Sequence, residues 1–243
     1  MIETIARHSQ IALQFSGGKD SLACLFVMRP YWDRLAVYWV NTGAAFPETI
    51  ALMDEVRAMV PRFVEIRSDQ PADLIENGYP VDLLPTWNAR EVMPYVGESR
   101  VRLQAFLACC FRNVMAPMQA RMIEDGVTLV IRGQRTQEAA KSTVRSGAVD
   151  AGVEYLFPIE DWSGEDVRAY LADKPISLPE NYADMDTSLD CWSCTAYLKD
   201  NIGKRRYMKR RHPEMYRVVS ERLAVISRET QREVDNLTLA MEA

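Results

Sequence analysis

Three sets of residues in this chain have the types and spacing to do chemistry. The first is Ser16-Gly17-Gly18-Lys19-Asp20-Ser21, which follows the apolar run Ile11 to Phe15 and precedes an apolar run with helical spacing. A buried strand, a glycine turn and a helix start leave unpaired N–H groups and the positive end of a helix dipole facing a ligand. Gly17 and Gly18 let the backbone come close, Lys19 brings a mobile positive charge, and Ser16 and Ser21 bring hydroxyls. The product is a phosphate pocket. It is not a Walker loop, because the GxxxxGK(S/T) spacing is missing.

The second set is sulfur. Cys109 and Cys110 are adjacent, Cys191 and Cys194 form a CxxC, and residues 111 to 190, eighty in all, separate the pairs. Two pairs of thiolates supply one ligand to each iron of a [4Fe-4S] cluster. Zinc is the competing metal, although it commonly gathers two CxxC knuckles around one tetrahedral ion. Adjacent helical residues point about 100° apart, which suits two irons better than one small ion. His8 and His212 are the only histidines, so a histidine-based metal site is not expected. Cys24 falls on the apolar face of the first helix and reads as a core residue.

The third set lies where other apolar runs end. Leu35 to Val40 stops at Asn41-Thr42-Gly43, and Val127 to Ile131 stops at Arg132-Gly133-Gln134-Arg135. A polar stretch with Lys141 and Arg145 follows, expected to lie over a ligand as a mobile loop.

The elements that must position these residues follow from the pattern. Strands are expected at Ile11 to Phe15, Leu35 to Val40, Phe63 to Ile66, Val127 to Ile131 and Tyr155 to Ile159. Helical segments separate them: one after the glycine turn, one opened by Pro47-Glu48-Thr49, a long one over Leu103 to Met122 interrupted near Pro117, and one opened by Ser163. Alternation of this kind predicts an α/β fold, an open and mostly parallel five-stranded Rossmann-like sheet with helices on both faces. Ligands sit at the carboxyl ends of such strands, so the glycine turn and Asn41 to Gly43 are expected to share a pocket. Residues 68 to 98, rich in Pro and Gly, and residues 173 to 203 read as irregular. From Pro213 a helix carries Met215, Val219, Leu223, Ile226, Val234, Leu237 and Met241 largely on one stripe, which covers the core or meets a second copy of the chain as a homodimer. The expected division is residues 1–172 as a nucleotide-binding α/β domain and 173–243 as the cysteine-bearing segment with the C-terminal helix.

Composition narrows the classes. At 243 residues the chain can bury a sizeable core, and a net charge of −5 does not advertise a nucleic-acid-coating surface. The charge is uneven, however. Lys204 to Arg211 (KRRYMKRR) reads either as a solvated helix face or as a place to hold the phosphates of a nucleic-acid acceptor. No signal peptide is visible and no apolar run approaches the ~20 residues of a membrane span, so a cytoplasmic, non-membrane protein is expected. Five cysteines there read as metal or redox chemistry rather than disulfides.

SGGKDS resembles the PP-loop of the ATP pyrophosphatases and of the adenylyl-sulfate and phosphoadenylyl-sulfate (PAPS) reductases. VYWVNTGAAFPETI, VIRGQRTQEAAKSTVR and FPIEDWSGEDVRAYL resemble that family's later segments in the same order. The CC–x80–CxxC pattern, with Pro117 seven residues past the pair, resembles the cluster motif of adenylyl-sulfate reductases and of relatives that move sulfur onto nucleic acid. The resemblance implies the adenine nucleotide alpha-hydrolase-like fold. It implies that Ser16, Gly17, Gly18, Lys19, Asp20, Ser21, Asn41, Thr42, Gly43, Gly133, Arg135 and Lys141 bind ATP, adenylyl sulfate or phosphoadenylyl sulfate, with Mg2+. Lys19, Asp20 and Arg135 would be catalytic, and Cys109, Cys110, Cys191 and Cys194 would hold the cluster.

Three departures from the family pattern bear on the reaction. No Cys follows Cys194, where reductases carry a nucleophilic Cys; Val114 stands where cluster-bearing reductases have Lys; and Asn41 stands where many members have Asp. The first points to ATP-dependent, pyrophosphate-releasing activation and sulfur transfer, fed by a sulfur donor such as a cysteine desulfurase. The alternatives are a sulfite-forming reductase with a thiol reductant and a non-catalytic nucleotide-binding iron–sulfur subunit.

Overall fold

The structure is a computed structural model and describes residues 1–82, 85, 88–92, 100–137, 144–176 and 178–242. Its strands are β1 (Ile11–Gln14), β2 (Leu35–Asn41), β3 (Phe63–Arg67), β4 (Tyr79–Val81), β5 (Leu103–Ala105), β6 (Leu129–Ile131), β7 (Val149–Asp150) and β8 (Val153–Leu156). Its helices are α1 (Ile2–Arg7), α2 (Lys19–Val27), α3 (Pro47–Met59), α4 (Gln70–Asn77), α5 (Phe106–Cys110), α6 (Ala116–Glu124), α7 (Gly164–Leu171), α8 (Ile202–Arg211) and α9 (Pro213–Glu242). No helix among the described residues is long and apolar enough to cross a membrane.

Two compact units share the chain. The first comprises Met1–Asn41, Phe46–Arg67 and Ala116–Tyr182; the second comprises Thr42–Ala45, Ser68–Met115 and Ala183–Ala243.

The first unit is built on a six-stranded sheet of order β3-β2-β1-β6-β8-β7. Every pairing is parallel except β7 with β8. β1 is central, with Ile11 opposite Leu35 on one side and Leu129 on the other. Its residues Ala12 and Leu13 are fully buried, as a strand covered on both faces requires. Ala12, Tyr38, Val40, Ile66 and Val130 form one core cluster, against which Met118 and Met122 of α6 pack. Strands lie at all five expected places, the fifth earlier than expected at Val153–Leu156 instead of Tyr155 to Ile159, and the sixth, β7, is new. Its two residues are exposed in a polar stretch, too short to leave a periodic signal. The chain runs from β1 outward to β3 on one side and returns to β6 on the other, so the topological switch point lies between β1 and β6.

The second unit corrects two expectations. Residues 68 to 98 are not wholly irregular, because α4 occupies Gln70–Asn77. Asp69 caps it by accepting from Ala72 N, Pro71 sits in its first turn, and Gly78 ends it at φ +89°. The Pro and Gly that blurred the periodicity are the helix's own punctuation. Leu103 to Met122 is not one interrupted helix either. It begins as β5, paired in parallel with β4, and passes through α5 into a π-helical turn, Phe111–Met115, before α6. Pro117 has no N–H for the carbonyl of Asn113, and that carbonyl accepts instead from Ser68 Oγ at 2.6 Å. In α9, Val219 and Ile226 are buried and Ile226 packs with Val81 and Leu103, whereas Val234, Leu237 and Met241 are exposed. The apolar stripe therefore serves the core over its first half only.

Candidate functional site

The phosphate loop fills the turn between β1 and α2 in the first unit. Gly17 takes the positive φ (+81°) and lies against Met53 of α3, which a Cβ would meet at 3.0 Å. Gly18 is the extended N-cap of α2, with no side-chain cap over the helix start. Ser21 Oγ donates to Gly18 O at 2.9 Å and Ser16 Oγ to Ser21 Oγ at 3.2 Å, so the hydroxyls brace the turn. The amide of Lys19 donates to Tyr182 Oη at 2.7 Å. Tyr182 is buried, and Arg168 of α7 lies over its ring.

Across the switch point, the residues after β6 complete the loop. Gly133 faces the first turn of α2 so closely that a Cβ would stand 2.4 Å from Asp20 O. That proximity carries Arg135 to Asp20: its Nε donates to Asp20 Oδ1 at 2.7 Å, while Lys19 Nζ donates to Oδ2 at 2.9 Å. Arg135 and Lys19 are 8% and 7% exposed. Two nearly buried cations therefore share one carboxylate, leaving a net positive charge beside open helix amides. This arrangement attracts a multiply charged anion.

Asn41 ends β2, and its amide donates to Glu65 Oε1 at 3.0 Å. That bond, with Arg67 and Arg57 nearby, holds the Glu65 carboxyl below its ordinary range despite some burial. Thr42 and Gly43 belong to the second unit, where Thr42 Oγ1 lies 3.2 Å from Cys191 Sγ. Lys141 is outside the described residues.

Within the second unit the four expected cysteines come together. Burial is the first cause of their raised thiol pKa values: Cys109 is pushed up to about 12, Cys110 and Cys191 to about 11, and Cys194 also upward. Their charges then act on one another. Cys191 raises Cys109 and Cys110, and Cys194 raises Cys110 and Cys191. Around them the backbone is firmly tied. Cys194 N donates to Cys191 O at 3.2 Å, Trp192 N to Ala44 O at 3.1 Å, and Ser193 Oγ to Gln70 Oε1 at 2.7 Å. Tyr197 takes a positive φ of 55°, held by Asp82, which accepts from the amides of Tyr197 and Leu198. Asn113, in the π turn, donates to Cys109 O at 3.0 Å. Among the described residues, no three His, Cys, Asp or Glu side chains are placed to hold a single metal ion.

Residues 10–197 match the phosphoadenosine phosphosulfate reductase domain. The chain belongs to that family. Across 196 residues it is 22% identical to an adenosine 5'-phosphosulfate reductase of Deinococcus radiodurans, covering 80% of this chain and 70% of that protein. A Neisseria meningitidis adenosine 5'-phosphosulfate reductase is 25% identical over 174 residues, 68% of this chain and 63% of that one. The crystal structure of a PAPS reductase from Candida auris, a phosphate complex, superposes with a TM-score of 0.55 at 15% identity, covering 79% of this chain and 85% of that one. This last likeness shows a shared fold.

Sequence reasoning missed several contacts, one at the phosphate loop of the first unit and others at the cysteine loop of the second. Tyr182 lies far from the loop in sequence and within a stretch read as irregular. The sequence gives no sign that Thr42 also lies within hydrogen-bond distance of Cys191 Sγ. Lys204 was read as part of a charged face, but it is 1% exposed and its Nζ donates to Cys191 O at 3.5 Å. Only its surroundings, in which α8 buries one side against the cysteine loop, reveal that.

Proposed function

We propose that this family member is a PP-loop adenine-nucleotide enzyme that binds a [4Fe-4S] cluster through Cys109, Cys110, Cys191 and Cys194 and uses ATP and Mg2+ to activate an acceptor for sulfur transfer. The observation that carries this reading is the pooling of four thiols from two distant stretches while no separate usable thiol remains. Cys24 is fully buried in α2 with its thiol pushed far up by burial, and residues 195–243 hold no cysteine. A thiol that attacks a sulfate ester must be reachable and ionisable, and Cys24 is neither. Four thiols whose charges act on one another are the kind of donor set used by a group that takes one ligand per metal atom.

The loop amides and Lys19 would hold the β- and γ-phosphates, with Mg2+ neutralising part of their charge. An acceptor oxygen attacks the α-phosphorus; its P–O bond forms as the bond to the β-phosphate oxygen breaks, and pyrophosphate leaves with the electron pair. Asp20 fixes Lys19 and Arg135 on one carboxylate, so both cations stand ready at the leaving group. A sulfur nucleophile then displaces AMP from the activated carbon. A cluster bound by Cys109, Cys110, Cys191 and Cys194 would hold or deliver the sulfur that forms the new bond, with AMP leaving on its own oxygen.

For the acceptor, the outer face of α8 supports a nucleic acid. Arg205, Arg206, Lys209 and Tyr216 line a hollow of about 330 Å³ with Leu198 and Ile202. Among the described residues none of these three cations has a carboxylate partner, unlike Arg210, which pairs with Asp184. Arg205 and Lys209 lie over the Tyr216 ring, and with Arg206 they present three positive charges without carboxylate partners to the phosphates of a single strand.

The names of the curated relatives favour a second reading, in which adenylyl sulfate is bound and sulfite is formed with a thiol donated by another molecule. One set of assays separates the two. Anaerobically purified protein is expected to hold about four irons per chain and to release pyrophosphate from ATP in a Lys19-dependent way when a nucleic-acid acceptor is present. Sulfite from adenylyl sulfate and dithiothreitol, without pyrophosphate release, would replace the first reading by the second. Iron-free protein would remove the cluster from both.

A further inference from the structure

Lys204 sits in the first turn of α8 and is 1% exposed. An ammonium taken out of water is strongly unfavourable unless an anion accompanies it. Its one hydrogen bond runs to a neutral carbonyl, Cys191 O, at 3.5 Å, and among the described residues no carboxylate pairs with it. The adjoining cavity, lined by Cys194, Asn201 and Lys204 among others, measures about 10 Å³, at the lower limit for one water. That is room for about one water, far short of the hydration shell an ammonium has in solution.

The helix also has little freedom to turn this side chain elsewhere. A Cβ on Gly203 would lie 2.7 Å from Met185 Cβ, and Asn201 Nδ2 donates to Ala196 O at 2.7 Å. The first turn of α8 is thus locked against the cysteine loop. Its ammonium meets the carbonyl of Cys191, and its side chain lines the same small cavity as Cys194, so the buried charge lies against both ends of the CxxC.

We propose that Lys204 is the built-in counter-ion of the Cys191–Cys194 sulfurs, a positioning residue that sets the charge balance of whatever centre those sulfurs hold. The inference deepens the cluster reading above and rests on it for its redox consequence. A fixed positive charge stabilises the more negative, reduced form of a sulfur-ligated centre. Removing it lowers the midpoint potential.

The test compares wild type with Lys204→Met, Lys204→Gln and Lys204→Arg in the full chain. In iron-loaded protein, Met and Gln are expected to shift the one-electron equilibrium at least tenfold toward the oxidised form, about 59 mV, while Arg restores the wild-type potential. In metal-free, reduced protein, iodoacetamide labelling mapped by mass spectrometry is expected to slow at least tenfold at Cys191 and Cys194 relative to Cys109 and Cys110 in the same Met or Gln variant. Gln keeps a donor for Cys191 O, so it serves if Met does not fold. Unchanged potential and unchanged labelling in a folded variant overturn the proposal. Iron-free wild type with the labelling difference intact would overturn the cluster and keep the counter-ion.

Discussion

Gly133 offers the most direct test of how the phosphate site is assembled. A Cβ at this position would stand 2.4 Å from Asp20 O, 2.6 Å from Asp20 C and 2.8 Å from Ser21 Cα, where ordinary contact begins at 3.4 Å. All three atoms are backbone in the first turn of α2, so none can rotate aside. Clearing the clash takes a movement of about 1 Å between the segment after β6 and the helix start, in an interior too dense to absorb it. Overpacking of that kind costs about 1–3 kcal/mol, which for a chain of this size lowers Tm by about 2–12 °C. The same movement pulls the loop amides off the phosphates. Losing one charge-assisted hydrogen bond, about 1.5–3 kcal/mol, is expected to weaken binding of the proposed ATP ligand by at least about tenfold. Gly164→Ala is the control, since nothing lies within 4 Å of a Cβ there and the residue opens α7. Thermal melts and fluorescence titration with ATP on both variants decide the matter. If Gly133→Ala melts and binds ATP like Gly164→Ala, the close approach of the two segments is wrong.

Three further perturbations follow from the contacts described. Asp20→Asn strips Lys19 and Arg135 of their shared carboxylate and is expected to cost about 1.5–3 kcal/mol; inorganic phosphate should then raise the Tm of the variant more than that of wild type, and equal gains would refute the role given to Asp20. Tyr182→Phe frees the Lys19 amide at a stability cost of about 1 kcal/mol and is expected to tighten phosphate binding by about 2- to 10-fold; unchanged or weaker binding would show that the amide is not a phosphate donor. Burial acts upward on the Asp73 carboxyl, but hydrogen bonds from Arg112, Gln104 and Asn77 outweigh it and hold its pKa below the ordinary value. The folded state thus binds that proton less tightly than the unfolded chain, so the contribution of Asp73 is full above about pH 4 and is lost as pH falls through the depressed value. The stability gap between wild type and Asp73→Asn in urea titrations should narrow from about pH 5 to about pH 3, and a constant or widening gap contradicts the network.

The loop and the central strands were legible in the sequence because each is a local pattern: an apolar run, a glycine turn, a helical period. The family resemblance puts Arg135 opposite the loop, and in the structure its guanidinium does reach the loop, donating to Asp20. What stayed hidden depends on contacts between distant segments. Tyr182 reaches Lys19 across 163 positions, and no periodicity encodes such a bond. The helix α4 was lost because Pro71 and Gly78, its start and stop signals, look like loop residues when counted rather than placed. Lys204 was read as solvated because its neighbours Arg205 and Arg206 are basic, while burial depends on which side of a helix a residue occupies.

The central position of β1 also sets a timetable for synthesis. Its partner on one side, β2, begins 24 residues on, but its partner on the other, β6, begins 118 residues on, with Ile11 opposite both Leu35 and Leu129. At about 5–20 residues per second on a ribosome, one edge of this strand waits roughly 6–24 s before its neighbour exists. Throughout that interval the strand edge of Ala12 and Leu13 lies open to pairing with another nascent chain. The glycine turn emerges first and is finished late, when Gly133 and Arg135 arrive to close on α2. A nucleotide bound there would therefore report that the whole sheet of the first unit has closed, so that such a ligand would act on folding as well as in the finished site.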